Sequence, residues 1–155
     1  MVTEQDEKRI DVLDAEQCWA LIGGQEVGRL GVVVDGYPVV VPVNFAVDGG
    51  GGVIVLRMGG GAVSQAADHA NVTFQADALD PAGRTGWSVL VRGLVEEVGP
   101  EHRDDLVART RASRASPWAP GERGHLKRLI PHGVSGRRIT QDRLPDAWEP
   151  DWFHG

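Results

Sequence analysis

The chain has a single cysteine, few aromatic residues and no long hydrophobic run. Because Cys18 stands alone among 155 residues, neither an internal disulfide nor a cysteine metal cluster is possible. No apolar run reaches the length of a membrane-spanning helix, and the first residues lack the basic-then-apolar order of a secretion signal. We therefore expect a cytoplasmic protein with no membrane partner.

An excess of basic charge is also lacking. The chain has 16 Lys and Arg against 22 Asp and Glu, a formal net charge of −6, which argues against nucleic acid as a partner. Basic residues still gather between Arg109 and Arg114 and between Arg123 and Arg138. They form either a solvated face, the commoner case, or a local anion site. The five histidines have no metal-ligand spacing, so we predict no metal site.

Glycine is abundant, with 21 residues, and short runs rich in valine are separated by turn residues. This pattern predicts six or seven strands joined mostly by hairpins, the last two at His125–Ile130 and Val134–Thr140. The predicted fold is mainly β, an antiparallel barrel with short capping α-helices. We expect one domain over residues 12–140, between an N-terminal tail (1–11) and a C-terminal tail (141–155).

Near the start of this domain, Asp14 and Gln17 form a capping-box pattern that predicts the beginning of a helix. Apolar residues follow at helical spacing as far as Ile22, and Gly23 ends the pattern. Cys18 lies on the apolar face. It is therefore interpreted as a small buried residue rather than a nucleophile.

The most informative segment is a predicted hairpin whose turn is Asp35-Gly36, a pair suited to a type I′ turn. Pro38 and Pro42 have the same strand parity, so both remove N–H donors from one edge of the second strand. Asn44 shares that parity and places a side-chain amide near this margin. The segment is either a margin that admits a ligand or an ordinary edge hairpin.

A possible anion site follows the next strand. Arg57 ends the strand, three glycines reach to Gly61, and Ser64 lies in the first turn of a predicted helix. Main-chain N–H groups together with a guanidinium can hold a phosphate. No Gly-Lys-Ser/Thr follows, so this is not a P-loop. The alternative is a simple flexible turn.

A long predicted strand begins at Trp87. Trp87 and Ser88 could supply an aromatic wall and a hydroxyl to a pocket, although a buried structural tryptophan is the usual case. Arg92 shares a face with Ser88 and needs an anionic partner, either a ligand or a carboxylate. No conventional catalytic group stands out, so an enzyme of this sequence would depend on a cofactor.

Four segments together resemble the pyridoxamine 5′-phosphate oxidase-like, FMN-binding split-barrel proteins, above all the actinobacterial branch related to nitroimidazole reductases. They are EVGRLG (26–31), GYPVVVPVN (36–44), ANVTFQAD (70–77) and GWSVLVRG (86–93). The likeness covers about residues 12–140 in the expected order.

The resemblance implies a six-stranded split barrel that forms a homodimer with FMN in a groove between the subunits. The strand through Asn44 would lie along the isoalloxazine ring, the segment from Arg57 would hold the phosphate, and the strand at Trp87 would border the site. The predicted cofactor-binding residues are Pro42, Val43, Asn44, Arg57, Gly61, Ser64, Trp87, Ser88 and Arg92.

One departure concerns the second helix, where relatives commonly carry a lysine that reaches the cofactor phosphate and this chain has Val63. Losing a charged contact of this kind costs about 1.5 to 3 kcal/mol, roughly ten- to a hundredfold in affinity. Our first hypothesis is an FMN-dependent oxidoreductase acting on a small organic substrate, with no catalytic side chain assigned. The alternatives are the same barrel with a deazaflavin or haem, or a non-catalytic barrel that binds a small molecule.

Overall fold

The computed structural model of the chain describes residues 8–49, 52–110 and 125–141. Its elements in chain order are β1 Lys8–Leu13, α1 Ala15–Ile22, β2 Val27–Val34, β3 Tyr37–Asp48, β4 Val53–Met58, α2 Ala62–Ala67, β5 Asn71–Asp80, β6 Thr85–Glu97, α3 Pro100–Thr110 and β7 His125–Gln141. None of the helices in these residues is long and apolar enough to cross a membrane.

The strands form a closed barrel in which all pairings are antiparallel. The sheet order is β1-β7-β4-β3-β2-β5-β6, and β6 also pairs with β7. This last pairing closes a ring of six strands. β1 lies outside the ring and pairs with the C-terminal half of β7, beyond the part that pairs with β4. The predicted fold, a six-stranded antiparallel split barrel with short capping helices, is confirmed.

The main core fills the barrel interior. On β3, Val43 and Phe45 are buried, and on β5, Phe74 is fully buried. The rings of Phe45 and Phe74 meet edge to face with centroids 4.8 Å apart, a favourable aromatic geometry. Gly28 permits this packing, because a Cβ there would collide with the Phe74 ring. A smaller cluster of Val55, Leu106 and Leu126 lies outside the barrel, under α3.

The local predictions for the first helix and the first hairpin are confirmed. The Gln17 N–H donates to Asp14 Oδ1 at 2.8 Å, and the Asp14 N–H donates to Gln17 Oε1 at 3.0 Å. Asp35 and Gly36 have φ of 50° and 82°, the positive values that a type I′ turn requires. Cys18 is fully buried, and this burial raises the pKa of its thiol above the ordinary value.

The prediction of two separate final strands is wrong, because residues 125–141 form one strand, β7. Both halves of β7 pair with β6, and the register shifts where Arg92 pairs with Gly133 and Gly93 pairs with Pro131. β7 thus has one extra residue, His132, which has no pairing partner on β6. This β-bulge accommodates the proline without a chain reversal.

The chain termini differ from the predicted tails in one respect. Residues 1–11 were assigned to a tail, whereas Lys8–Leu13 forms β1 and pairs with β7. Only Leu13 of this strand is buried, so no alternation of buried and exposed residues marks the strand in the sequence. From residue 142 onward, the predicted C-terminal tail lies outside the described residues.

Candidate functional site

A cavity opens where β3 loses one of its two neighbours. Residues 37–44 of β3 pair with β2, but pairing with β4 begins only at Asn44. The Phe45 N–H donates to Glu26 O on the β2 side at 3.0 Å. Because main-chain groups alternate along a strand, those of Pro38 and Pro42 face the side that no described strand occupies. The predicted sheet margin is confirmed.

This cavity, which we call the Arg57 cavity, has a volume of about 480 Å³. It is bordered by parts of β2 and β3, the end of β4, the glycine turn and the start of α2. The lining residues are Val27, Val41, Pro42, Val43, Asn44, Arg57, Met58, Gly59, Gly60, Gly61, Ala62, Val63 and Ser64. Six of the predicted site residues, Pro42, Val43, Asn44, Arg57, Gly61 and Ser64, therefore lie together.

The polar side chains of the cavity come from facing strand positions. Asn44 lies directly opposite Val27 on one side and Arg57 on the other. Their sequence neighbours Phe45 and Leu56 are buried in the main core, so Asn44 and Arg57 face outward from the barrel. Opposed residues on one face of a sheet have Cβ atoms about 5 Å apart. The amide and the guanidinium are thus presented to the same space.

The guanidinium of Arg57 has one donor that is not satisfied within the part of the chain that the structure describes. Its Nε is buried and has no hydrogen-bond partner among the described residues. A buried N–H donor without an acceptor is costly, typically about 1 to 3 kcal/mol, and such atoms commonly mark the place of a ligand. The Arg57 cavity therefore has a cationic donor available for an anionic group.

The wall facing Arg57 is formed by Gly59–Gly61 and the start of α2. A Cβ at Gly61 would meet no atom within 4 Å, so a ligand has free access to the main chain there. Ser64 is buried and lines the cavity. Val63 also lines the cavity and packs against the main core.

Sequence reasoning missed a buried cation next to this wall. The sequence places Lys127 in a basic cluster that is either a solvated face or a local anion site, but its side chain is only 1% exposed. Its Nζ donates to the main-chain O of Ser64 and to Asp68 Oδ1, both at 2.6 Å. The only sequence signal is that Lys127 lies in a predicted strand, between the apolar residues Leu126 and Leu129.

Comparison with known proteins decides the family. The profile of the pyridoxamine 5′-phosphate oxidase family matches residues 14–138. The chain belongs to this family. An uncharacterised protein of Mycobacterium tuberculosis is 31% identical over 142 residues, which cover 89% of this chain and 91% of that protein.

Two solved structures of FAD-binding proteins share the split-barrel fold of this family member. One, from Mycobacterium smegmatis, is 28% identical with a TM-score of 0.64 and covers 85% of this chain and 100% of its own. The other, from Mesorhizobium loti, is 27% identical with a TM-score of 0.70 and covers 84% of this chain and 99% of its own.

In this split barrel, the remaining predicted site residues lie outside the Arg57 cavity. Trp87 packs against the main core, the structural role that was the alternative to a pocket wall. Ser88 is exposed on the outer face of β6. Arg92 is exposed as well and lines a second cavity, and it makes no ion pair with any residue that the structure describes.

The second cavity, which we call the Arg92 cavity, is larger, at about 670 Å³. It lies between the outer part of the β2–β3 hairpin and the β6–β7 bulge. Its lining residues are Gly31, Val32, Val33, Pro38, Val39, Val40, Asn71, Val72, Thr73, Arg92, Gly93, His132 and Gly133.

Two other basic residues from the predicted clusters are paired on the surface. Arg109 on α3 makes two hydrogen bonds to the Asp48 carboxylate, at 2.9 and 3.0 Å, and this contact raises the pKa of its guanidinium. Arg128 contacts Glu96 at 3.0 Å. These pairs fit the solvated-face interpretation rather than an anion site.

Proposed function

We propose that the protein is a flavin-dependent oxidoreductase that binds the phosphate end of a flavin nucleotide in the Arg57 cavity. The observation that carries this proposal is the buried, unpartnered Nε of Arg57 in a cavity bordered by a glycine turn. A guanidinium–phosphate contact satisfies that donor with a charge-assisted hydrogen bond. Membership in the pyridoxamine 5′-phosphate oxidase family supports the choice of a flavin.

Each residue of the cavity has a role in this proposal. Arg57 binds the phosphate, and Ser64 contributes a hydroxyl from the opposite wall. The absence of side chains from Gly59 to Gly61 lets the phosphate approach the main chain. Asn44 orients the part of the bound cofactor that extends out of the cavity.

The open edge of β3 is the proposed platform for the flavin ring. Pro38, Val40 and Pro42 direct main-chain groups toward this edge, and the two prolines have no N–H to donate. The edge therefore presents carbonyl oxygens and the N–H of Val40. When bound, the flavin supplies the electron transfer, while the chain holds it at one end and leaves its outer face accessible to a small organic substrate.

FMN is our first choice of cofactor, and FAD is the principal alternative. The test is the visible absorption spectrum of purified protein after incubation with each flavin and desalting. A retained two-band flavin spectrum, followed by bleaching with a nicotinamide reductant and recovery with an acceptor, supports the proposal. A haem Soret band, or retention of a deazaflavin alone, replaces the cofactor. Retention of a flavin that no nicotinamide reductant bleaches favours a non-catalytic binding protein.

We also propose that the protein is a homodimer. One row of residues crosses β1, β7, β6 and β5 on the outer face, namely Ile10, Ile139, Gly86 and Leu79. Three of these side chains are large, apolar and exposed, at 63%, 40% and 70% for Ile10, Ile139 and Leu79. An apolar face of this kind is typical of a subunit interface. Ser88 belongs to the same face, which would offer it to a second copy.

The dimer proposal is tested by molar mass in solution. A charged side chain in the middle of an apolar interface is strongly unfavourable, so Leu79→Asp should convert the dimer to a monomer. Tyr37→Asp, at the exposed hairpin tip, is the matched control and should remain dimeric. A wild-type monomer, measured by light scattering after size-exclusion chromatography, would reject the proposal.

A further inference from the structure

Lys127 occupies an unusual position for a lysine. Lysine is almost never fully buried unless it is paired, yet 1% of this residue is exposed. Leu126 lies in the cluster outside the barrel, and Arg128 is exposed. Side chains alternate along a strand, so Lys127 points inward, beside its β4 partner Leu56 of the main core.

Both acceptors of Lys127 lie on the C-terminal side of α2, because helix carbonyl groups point toward the C-terminus. Ser64 is the third residue of this helix, and Asp68 is the residue after its last. The helix has six residues, and no side chain caps its first turn. A helix this short is not stable by itself. The ammonium group therefore caps the C-terminal end of α2 through two short, charge-assisted hydrogen bonds.

Ser64 connects this contact to the Arg57 cavity. The residue lines the cavity, and its carbonyl oxygen accepts the hydrogen bond from Lys127 at 2.6 Å. Lys127 does not itself line the cavity, so its link to the cavity wall runs through its contact with α2. α2 has no basic residue in its own last turn, and Lys127 supplies a cation at that end.

We propose that Lys127 is a positioning residue that sets the shape of the phosphate end of the cofactor site by holding α2. This inference rests on the proposed function, because it assumes that the segment from Gly61 to Ser64 binds the phosphate of a flavin nucleotide. It assigns a role in cofactor binding to a residue that is distant in sequence and does not touch the cofactor.

The first experiment needs no cofactor. Amide hydrogen exchange is measured on the ligand-free full chain for the wild type, Lys127→Met and Arg128→Gln. We expect exchange in residues 62–68 to become at least about tenfold faster in Lys127→Met. It should stay unchanged in Arg128→Gln, whose side chain lies on the other face of the same strand. Unchanged exchange in Lys127→Met would overturn the inference.

The second experiment compares FMN with riboflavin, which lacks the phosphate, by flavin fluorescence titration. In Lys127→Met, we expect the Kd for FMN to rise about tenfold and that for riboflavin less than about twofold. A purely structural role would weaken both ligands equally, and that result overturns the inference. A wild type that binds neither flavin rejects the proposed function, while the exchange experiment still decides whether Lys127 holds α2.

A milder variant covers the case in which Lys127→Met does not fold. Asp68→Asn keeps the shape of the side chain and the contact between Lys127 and Ser64, and the Asp68 side chain is 34% exposed. We expect faster exchange in residues 62–68 and a rise of about threefold in the Kd for FMN, with riboflavin unaffected. A folded Asp68→Asn protein with wild-type exchange and affinities contradicts the inference.

Discussion

The Arg57 cavity and the Arg92 cavity each combine an arginine with apolar strand residues, but they differ in how the arginine is placed. Arg92 is exposed at the rim of the larger cavity, where water can solvate its guanidinium. Arg57 has a buried Nε without a partner among the described residues. The smaller cavity therefore gains more from binding an anion, because the half-buried guanidinium of Arg57 is less well solvated than the exposed one of Arg92.

The two cavities also differ in the chain segments that border them. The Arg57 cavity is bordered by a glycine turn and by a helix that a buried lysine holds in place. The Arg92 cavity borders the β6–β7 bulge and the outer part of the hairpin. Donor burial and a positioned main chain, rather than volume, thus distinguish a candidate cofactor site from a surface hollow.

The largest expected difference between the two cavities appears when each guanidinium is removed in turn. Arg57→Gln should lower the affinity for FMN by about 1.5 to 3 kcal/mol, roughly ten- to a hundredfold, because a charged hydrogen bond to phosphate is lost. Arg92→Gln should change it less than about threefold, since an exposed charge contributes little. Fluorescence titration measures both. Equal losses in the two variants would mean that the cavities are joined in the assembled protein.

The second comparison fills each cavity with a side chain. Gly61→Leu places a side chain where a Cβ meets no neighbour within 4 Å, so the fold should tolerate it while the ligand is obstructed. We expect a loss of FMN affinity of about 1 to 2 kcal/mol. Gly133→Leu does the same in the Arg92 cavity and should leave the affinity unchanged. Unaltered thermal melting of Gly61→Leu with full FMN affinity would contradict the position of the ligand.

The smallest expected effect concerns a single hydroxyl. Ser64→Ala removes a neutral donor from the Arg57 cavity and should cost about 0.5 to 1.5 kcal/mol of FMN affinity. Thr73→Ala is the counterpart in the Arg92 cavity and should have no measurable effect on the same titration. If riboflavin loses as much affinity as FMN in Ser64→Ala, then the hydroxyl contacts the ring or the sugar chain instead of the phosphate.

Local features of this chain could be predicted because their causes lie within a few residues. The hydrogen bonds between Asp14 and Gln17 span three residues, and the Asp35-Gly36 turn depends on the conformations of two. The unpaired margin of β3 could be predicted as well, because Pro38 and Pro42 cannot donate to a neighbouring strand on that side.

Features that depend on distant pairing could not be predicted. Pro131 indicated a chain break, but β7 continues because β6 pairs with both of its halves through a bulge. The burial of Lys127 was not predicted, since its acceptors Ser64 and Asp68 lie 63 and 59 residues away. No local pattern reports a contact at such a separation.

The sequence by itself determined the barrel class, the first helix, the hairpin turn and the unpaired margin of β3, because these follow from alternation, capping and backbone freedom. The tertiary structure decided which arginine has a buried Nε, that β7 continues past Pro131 and which cation contacts α2. Burial and hydrogen-bond satisfaction are properties of space between strands, and the closure of β6 onto β7 creates that space.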